Sequence, residues 1–104
     1  QDSRIDTVKE QQIFQDESIT FGECLDNKCT DPEWTIFSSA DNKNVVEFNG
    51  KVVYNNMNSS LKIQFTYDET ISYWTINYMG LNGTAMDSNG AALLLNYLCR
   101  DYLN

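Results

Sequence analysis

An alternation of apolar and polar side chains between residues 43 and 78 constrains the fold of this chain more than any other feature. Successive side chains of a β-strand point to opposite faces of a sheet, so the apolar set would be buried and the polar set would face water or a partner. The pattern therefore predicts three consecutive strands of a half-buried antiparallel sheet. The apolar sets are Val46, Phe48, Gly50, Val52 and Tyr54, then Leu61, Ile63, Phe65 and Tyr67, and then Trp74, Ile76 and Tyr78.

The dipeptide Asn49-Gly50 leaves two interpretations of the first of these strands. Asn-Gly between apolar runs is the strongest short signal for a β-hairpin with a type I′ turn. The alternation nevertheless keeps its phase through Gly50, which fits one long strand with a glycine bend. We prefer one strand over residues 43–55, and the hairpin stays open as the alternative.

Helix signals flank the strands. Thr20 and Glu23 form a Ser/Thr-x-x-Glu capping box in a predicted helix over residues 18–29, and Pro32 follows its end. An apolar stripe at helical spacing predicts a last helix over residues 89–103. That stripe consists of Ala91, Leu94, Leu95, Leu98 and Tyr102.

The order of these elements predicts an α+β fold. We expect a four-stranded antiparallel meander with N- and C-terminal helices packed on one face, in the order α-β-β-β-β-α. Residues 34–37 would supply the first strand, and residues 61–67 and 71–79 the last two. Residues 1–17 would be a flexible or partly helical lead-in, and residues 18–104 a single domain whose opposite sheet face is left open.

Charge and the lack of histidine narrow the function. The formal net charge of −8 argues against nucleic acid or an anionic membrane surface as a partner. No apolar run approaches the roughly 20 residues of a membrane helix, so we expect no direct membrane insertion. The chain has no histidine, which is the commonest general base and transition-metal ligand in proteins. The carboxylates that lie close to one another in the sequence fall in predicted turns or helix starts. We therefore expect no catalytic residues, no metal and no cofactor, and hence no enzyme.

Four short motifs carry a resemblance to other proteins, namely Thr20-x-Gly22-Glu23, Trp34, Val45-Val46-Glu47-Phe48 and Ile63-Gln64-Phe65. Over about residues 18–98 the chain resembles a family of small uncharacterised bacterial domains of secreted proteins and lipoproteins. It departs from that pattern at Cys24, usually a small residue, and at Lys28, often aromatic. The resemblance implies an exported α+β protein that is periplasmic, attached to the cell envelope or secreted, and it implies no activity. A signal peptide or lipid anchor could have preceded Gln1.

Three cysteines, Cys24, Cys29 and Cys99, are an odd number, and an oxidising compartment would pair two of them. On one helix, Cys24 and Cys29 would point apart by about 140° at 100° per residue, and they could pair only if the helix ends before Cys29. Cys99 on the last helix could reach either of them, and we predict a Cys29–Cys99 disulfide. Three buried free thiols are the alternative.

A strip of polar and aromatic side chains is the candidate binding site. Tyr73, Thr75 and Asn77 have the opposite parity to Trp74, and Tyr67 lies near the turn that precedes them. Tyrosine and amide side chains on an open sheet face can bind a protein or a glycan, and such a face can equally be an ordinary solvated surface. We therefore predict an exported, non-enzymatic domain that binds a protein partner through its open sheet face or its acidic surface. An acidic surface would suit a basic partner.

Other functions remain as alternatives. Inhibitor or immunity proteins would be a subclass of the protein-binding hypothesis. A different class is a carrier of a small apolar ligand held between sheet and helices. A further class is a hydrolase built on paired carboxylates with a raised pKa. The oligomeric state is not predicted.

Overall fold

The alternating segment forms an antiparallel meander with helices on one side. The structure is a computed structural model that describes residues 1–100. Within that range the strands follow one another across a single sheet in sequence order, which confirms the α+β class. The elements are α1 (Ser3–Glu10), α2 (Phe21–Lys28), β1 (Thr30–Ser38), β2 (Asn44–Tyr54), β3 (Met57–Asp68), β4 (Tyr73–Leu81), β5 (Thr84–Ala85) and α3 (Ser88–Cys99).

β2 runs straight through Asn49-Gly50, so the single strand is confirmed and the hairpin at this dipeptide is wrong. The chain reverses instead at Asn55 and Asn56, whose φ angles are 52° and 61°. Positive φ at both central residues is what a type I′ hairpin requires. Gly50 has a packing role, because a Cβ atom there would lie only 3.0 Å from the Cβ of Cys29. The glycine therefore permits a close approach of the α2–β1 connection to β2.

A short fifth strand extends the predicted four. Residues 80–83, which follow the last predicted strand, include the end of β4 and a tight turn. Asn82 and Gly83 have positive φ angles of 52° and 81° and reverse the chain. β5 then pairs with only two residues of β4, Gly80 and Leu81. A two-residue strand is too short to produce an alternation that sequence reasoning can detect.

The predicted parity of β4 is wrong in its second half, because a β-bulge interrupts the strand. Asn77 has no partner residue in the pairing of β4 with β3. One extra residue exchanges the faces of all positions that follow it. Trp74 and Ile76 pack against the helix-side core as predicted, whereas Tyr78 faces the opposite way and Met79 is buried in that core.

The N-terminal segment contributes to the core. Residues 1–17, for which the sequence predicts a flexible or partly helical lead-in, contain the eight-residue helix α1. Its residues Ile5 and Val8 are buried in the same apolar cluster as the strands and the other helices. Asp2 caps this helix by accepting a hydrogen bond from the backbone N–H of Arg4. We call the side of the sheet that packs against the three described helices the covered face.

α2 begins with the predicted capping box. The Thr20 hydroxyl accepts a hydrogen bond from the Glu23 N–H at 3.2 Å, and the Glu23 carboxylate accepts one from the Thr20 N–H at 3.3 Å. This arrangement pairs two backbone donors that a helix start leaves free. The helix is shorter than the predicted range of 18–29, and β1 follows directly at Thr30 rather than at residue 34.

α3 begins after Asp87, whose side chain accepts a hydrogen bond from the Gly90 N–H. Within the described residues it ends at Cys99. The predicted continuation of this helix to residue 103, including Tyr102, lies outside the described residues. The apolar stripe is confirmed for Leu94, Leu95 and Leu98, which are all buried.

The disulfide joins Cys24 to Cys99, so the predicted pairing of Cys29 with Cys99 is wrong. The Cα atoms of Cys24 and Cys99 are 5.4 Å apart, and the bond ties α2 to α3 on the covered face. Cys29 is a buried free thiol. It is the C-cap of α2 and has an extended backbone, with φ −104° and ψ 150°. The helix has therefore ended at Cys29, whose side chain lies beside Gly50 of β2.

Candidate partner-binding face

The side of the sheet opposite the covered face is the candidate functional site. Alternate residues of four strands point to it, and the strand register places them in rows across the sheet. We call this surface the open face. It consists of Glu33, Thr35 and Phe37 of β1, Val45, Glu47 and Asn49 of β2, Lys62, Gln64 and Thr66 of β3, and Tyr73, Thr75 and Tyr78 of β4.

Glu47 lies at the centre of the open face and organises a network of polar side chains. Its carboxylate accepts hydrogen bonds from Asn49 Nδ2 and Gln64 Nε2, both at 2.8 Å. Lys62 Nζ lies 3.8 Å from the same carboxylate, whose side chain is only 16% exposed. These neighbours hold the anionic group in one orientation, so little rotamer freedom remains for a binding partner to remove.

Apolar and aromatic side chains surround this polar centre. Val45 is 5% exposed although it does not belong to the core on the covered face. Its neighbours on the adjacent strands are Phe37 and Thr66. Phe37 and Tyr73 are each 42% exposed. The open face therefore combines an ordered polar centre with exposed aromatic rings, a composition that protein interfaces favour.

The structure places two of the four predicted binding residues on the open face. Tyr73 and Thr75 alternate with the buried Trp74 and point away from the helices. Tyr67 lies on the other side, where its ring packs against Trp74 with a centroid distance of 5.6 Å. Asn77 is exposed, but it is the extra residue of the bulge and does not belong to the regular rows.

Tyr78 belongs to the open face, and the alternation alone assigns it to the core. It lies opposite Gln64 of β3. A Cβ atom at Gly80 would overlap the Tyr78 hydroxyl, so the phenol ring lies over the glycine. The predicted strand ends at residue 79, and the alternation within it gives no sign of the bulge at Asn77.

Gln11 closes part of one sheet edge. β5 pairs with only two residues of β4, which leaves the rest of that strand without an outer neighbour in the described structure. The Gln11 amide donates a hydrogen bond to the Trp74 carbonyl at 2.9 Å and accepts one from the Trp74 N–H at 3.1 Å. These are the backbone groups that an added strand would use. Strand addition at Trp74 is therefore blocked.

Two observations bear on the chemistry of the described residues. In residues 1–100 no group of three or more His, Cys, Asp and Glu side chains could hold a metal ion. Burial, together with the charge of Asp26, raises the pKa of the Cys29 thiol to about 11. Because the thiolate is the nucleophilic form, this shift lowers the reactivity of the Cys29 thiol at neutral pH.

Comparison with known proteins does not assign a family. The chain matches no protein-family model, no curated protein and no solved structure.

No helix in the described range is long and apolar enough to cross a membrane. The Cys24–Cys99 disulfide is compatible with an oxidising, exported environment. The resemblance of residues 18–98 to exported bacterial domains stays a prediction.

Proposed function

We propose that this chain is a non-enzymatic exported domain that binds a basic protein partner through the open face. The observation that supports this most is the ordered carboxylate of Glu47 on a sheet surface outside the helix-side core. An ordered group loses less entropy on binding than a freely rotating one. Phe37 and Tyr73 add exposed apolar area that a partner can cover.

The charge distribution favours a basic partner. Most of the chain's seven basic side chains form ion pairs with its own carboxylates, and the net charge is −8. The remaining acidic surplus would attract a positively charged protein and accelerate its association. An inhibitor or immunity protein that covers a basic enzyme is one form of this function.

The test is partner capture from the exported fraction of the source organism, with the wild-type protein and three variants immobilised in parallel. We expect Phe37→Ala and Glu47→Gln each to reduce the captured partner about tenfold, because the first removes an exposed aromatic ring and the second the central charge of the open face. Leu93→Ala is the matched control, since Leu93 is 65% exposed on α3. Circular dichroism checks that all variants fold.

The pattern across variants decides the result. A partner that is lost from both open-face variants, retained by Leu93→Ala and released by salt supports the proposal. A partner that stays bound to Phe37→Ala and Glu47→Gln contradicts the assignment to the open face. Capture that is insensitive to salt contradicts the basic character of the partner.

A further inference from the structure

A cleft lies at the end of the sheet where β1 stops covering β2. The last pair between these strands is Thr30 with Lys51, whereas β2 and β3 continue to their hairpin. The final turns of α3 border the same space through Tyr97 and Leu98, which leaves a cleft of about 710 Å³. Small-molecule sites typically measure about 300–1,000 Å³.

One wall of the cleft is apolar. Val52 and Leu98 form its buried part, with 5% and 6% of their surfaces exposed. Tyr97 is 47% exposed. Val53 follows Val52 on β2, and its side chain points to the opposite side of the sheet. The Tyr97 ring is held against Tyr54 with a centroid distance of 5.4 Å. An alkyl chain in the cleft would remove this apolar surface from water.

The rest of the cleft is cationic in an otherwise acidic protein. Lys28 and Lys51 line it, and none of its described lining residues is acidic, although the chain contains 15 Asp and Glu. Lys28 makes no ion pair within residues 1–100. Lys51 Nζ lies 3.9 Å from Asp31, and both of these side chains are mostly exposed. Further hydrogen-bonding side chains along the cleft are Thr30, Asn58 and Ser60.

We propose that this cleft binds an amphiphilic carboxylate, in which a linear alkyl chain ends in one carboxylate group. The Lys28 ammonium group pairs with the carboxylate, and the alkyl chain lies along Val52, Tyr97 and Leu98. The site differs from the predicted space between sheet and helices, where the core side chains pack against one another. It also lies apart from the Glu47 network and does not depend on the open face.

The experiment is a titration of ¹⁵N-labelled protein with decanoate, decanol and decyltrimethylammonium below the concentrations at which they form micelles. We expect decanoate to bind most tightly and to shift the amide signals around Lys28, Val53 and Tyr97. Lys28→Met keeps most of the unbranched side chain and removes the charge, and should weaken decanoate binding about fivefold. Lys43→Met is the matched control, because Lys43 precedes β2 at its other end and should bind decanoate like wild type.

A second variant tests the apolar wall. Tyr97→Glu places an acid where the alkyl chain lies, and should abolish decanoate binding without unfolding the protein, because Tyr97 is 47% exposed. Equal affinity for decanol and decanoate, or unchanged binding by Lys28→Met, would overturn recognition of a carboxylate. Signal changes centred on Glu47, or unchanged binding by Tyr97→Glu, would overturn the location.

Discussion

The covered face and the open face are built from the same strands, but different forces order their side chains. On β2, Val46 and Phe48 are fully buried against the helices. Between and beside them, Glu47 and Asn49 lie on the open face and are held by side-chain hydrogen bonds. Apolar burial supplies most of the folding free energy, whereas a hydrogen bond contributes only about 1 kcal/mol net. The comparison teaches that the covered face determines the fold and leaves the open face available for recognition.

The largest expected effect comes from two neighbours on β3, Phe65 and Thr66, which point to opposite faces. Phe65→Ala removes a fully buried ring and should lower the free energy of unfolding by about 3–5 kcal/mol. Thr66→Ala alters only the open face and should change it by less than about 1 kcal/mol. Urea unfolding measures both changes. Equal losses would break the distinction between the two faces.

The disulfide gives the second largest effect on the covered face. Replacing Cys24 and Cys99 together by alanine removes a link across 75 residues and should lower the free energy of unfolding by about 3–4 kcal/mol. Cys29→Ala is the control, because Cys29 closes no loop, and should cost about 1 kcal/mol. If the single variant proved as unstable as the double one, the link between α2 and α3 would not be a main source of stability.

Gln11 lies at the edge of β4, where its side chain bonds to the backbone of Trp74. Gln11→Leu leaves the N–H and carbonyl of Trp74 without their side-chain partner, and should lower the free energy of unfolding by about 2 kcal/mol. It should also open this edge to self-association, which analytical ultracentrifugation measures. A monomeric variant of unchanged stability would show that the amide has no such role.

Gln11→Glu sharpens the same test through its pH dependence. A protonated Glu at this position can donate to the Trp74 carbonyl, whereas the ionised form cannot. Folding should therefore raise the pKa of the introduced carboxyl. Its contribution is then fully present below the pKa of the unfolded state and is lost as pH rises through the folded-state pKa. The Tm of the variant should fall further below that of the wild type as pH rises from about 4 to about 8. A difference in Tm that does not change with pH would contradict the account.

The smallest expected effect concerns the start of α1. The side-chain hydrogen bond from Arg4 lowers the pKa of Asp2 to about 2. A carboxyl group whose pKa is lowered by folding stabilises the folded state at pH values above its unfolded-state pKa. This contribution is lost as pH falls through the folded-state pKa. NMR signals of Ile5 and Val8 should therefore report fraying of α1 between about pH 4 and pH 2. Asp2→Asn keeps a capping oxygen and should lack this pH dependence, and identical pH profiles would remove Asp2 from the account.

Features that depend on neighbouring residues were predictable from the sequence. The capping box at Thr20 and Glu23 is encoded within four residues, and the phase of β2 continues through Gly50. Local chemistry and side-chain periodicity are sufficient for such features. They were enough to predict the α+β class, and they placed Tyr73 and Thr75 on the face opposite Trp74.

Features that depend on contacts between distant residues were not predictable. Gln11 bonds to Trp74, which lies 63 residues away, and the choice of Cys24 rather than Cys29 depends on where α2 ends. The bulge at Asn77 changes the face of Tyr78 without any clear break in the alternation. Each of these depends on how packed elements meet, which a periodic pattern does not contain.

Site-specific photocross-linking tests the central claim most directly. A photoreactive phenylalanine would replace Thr35 or Thr75 on the open face, and Ala92 or Leu93 on the outer surface of α3 as controls. The account predicts a covalent adduct with a basic protein of the exported fraction from both open-face positions and none from the two helix positions. Adducts formed only from α3 would contradict it, because recognition would then lie on the helix side of the molecule.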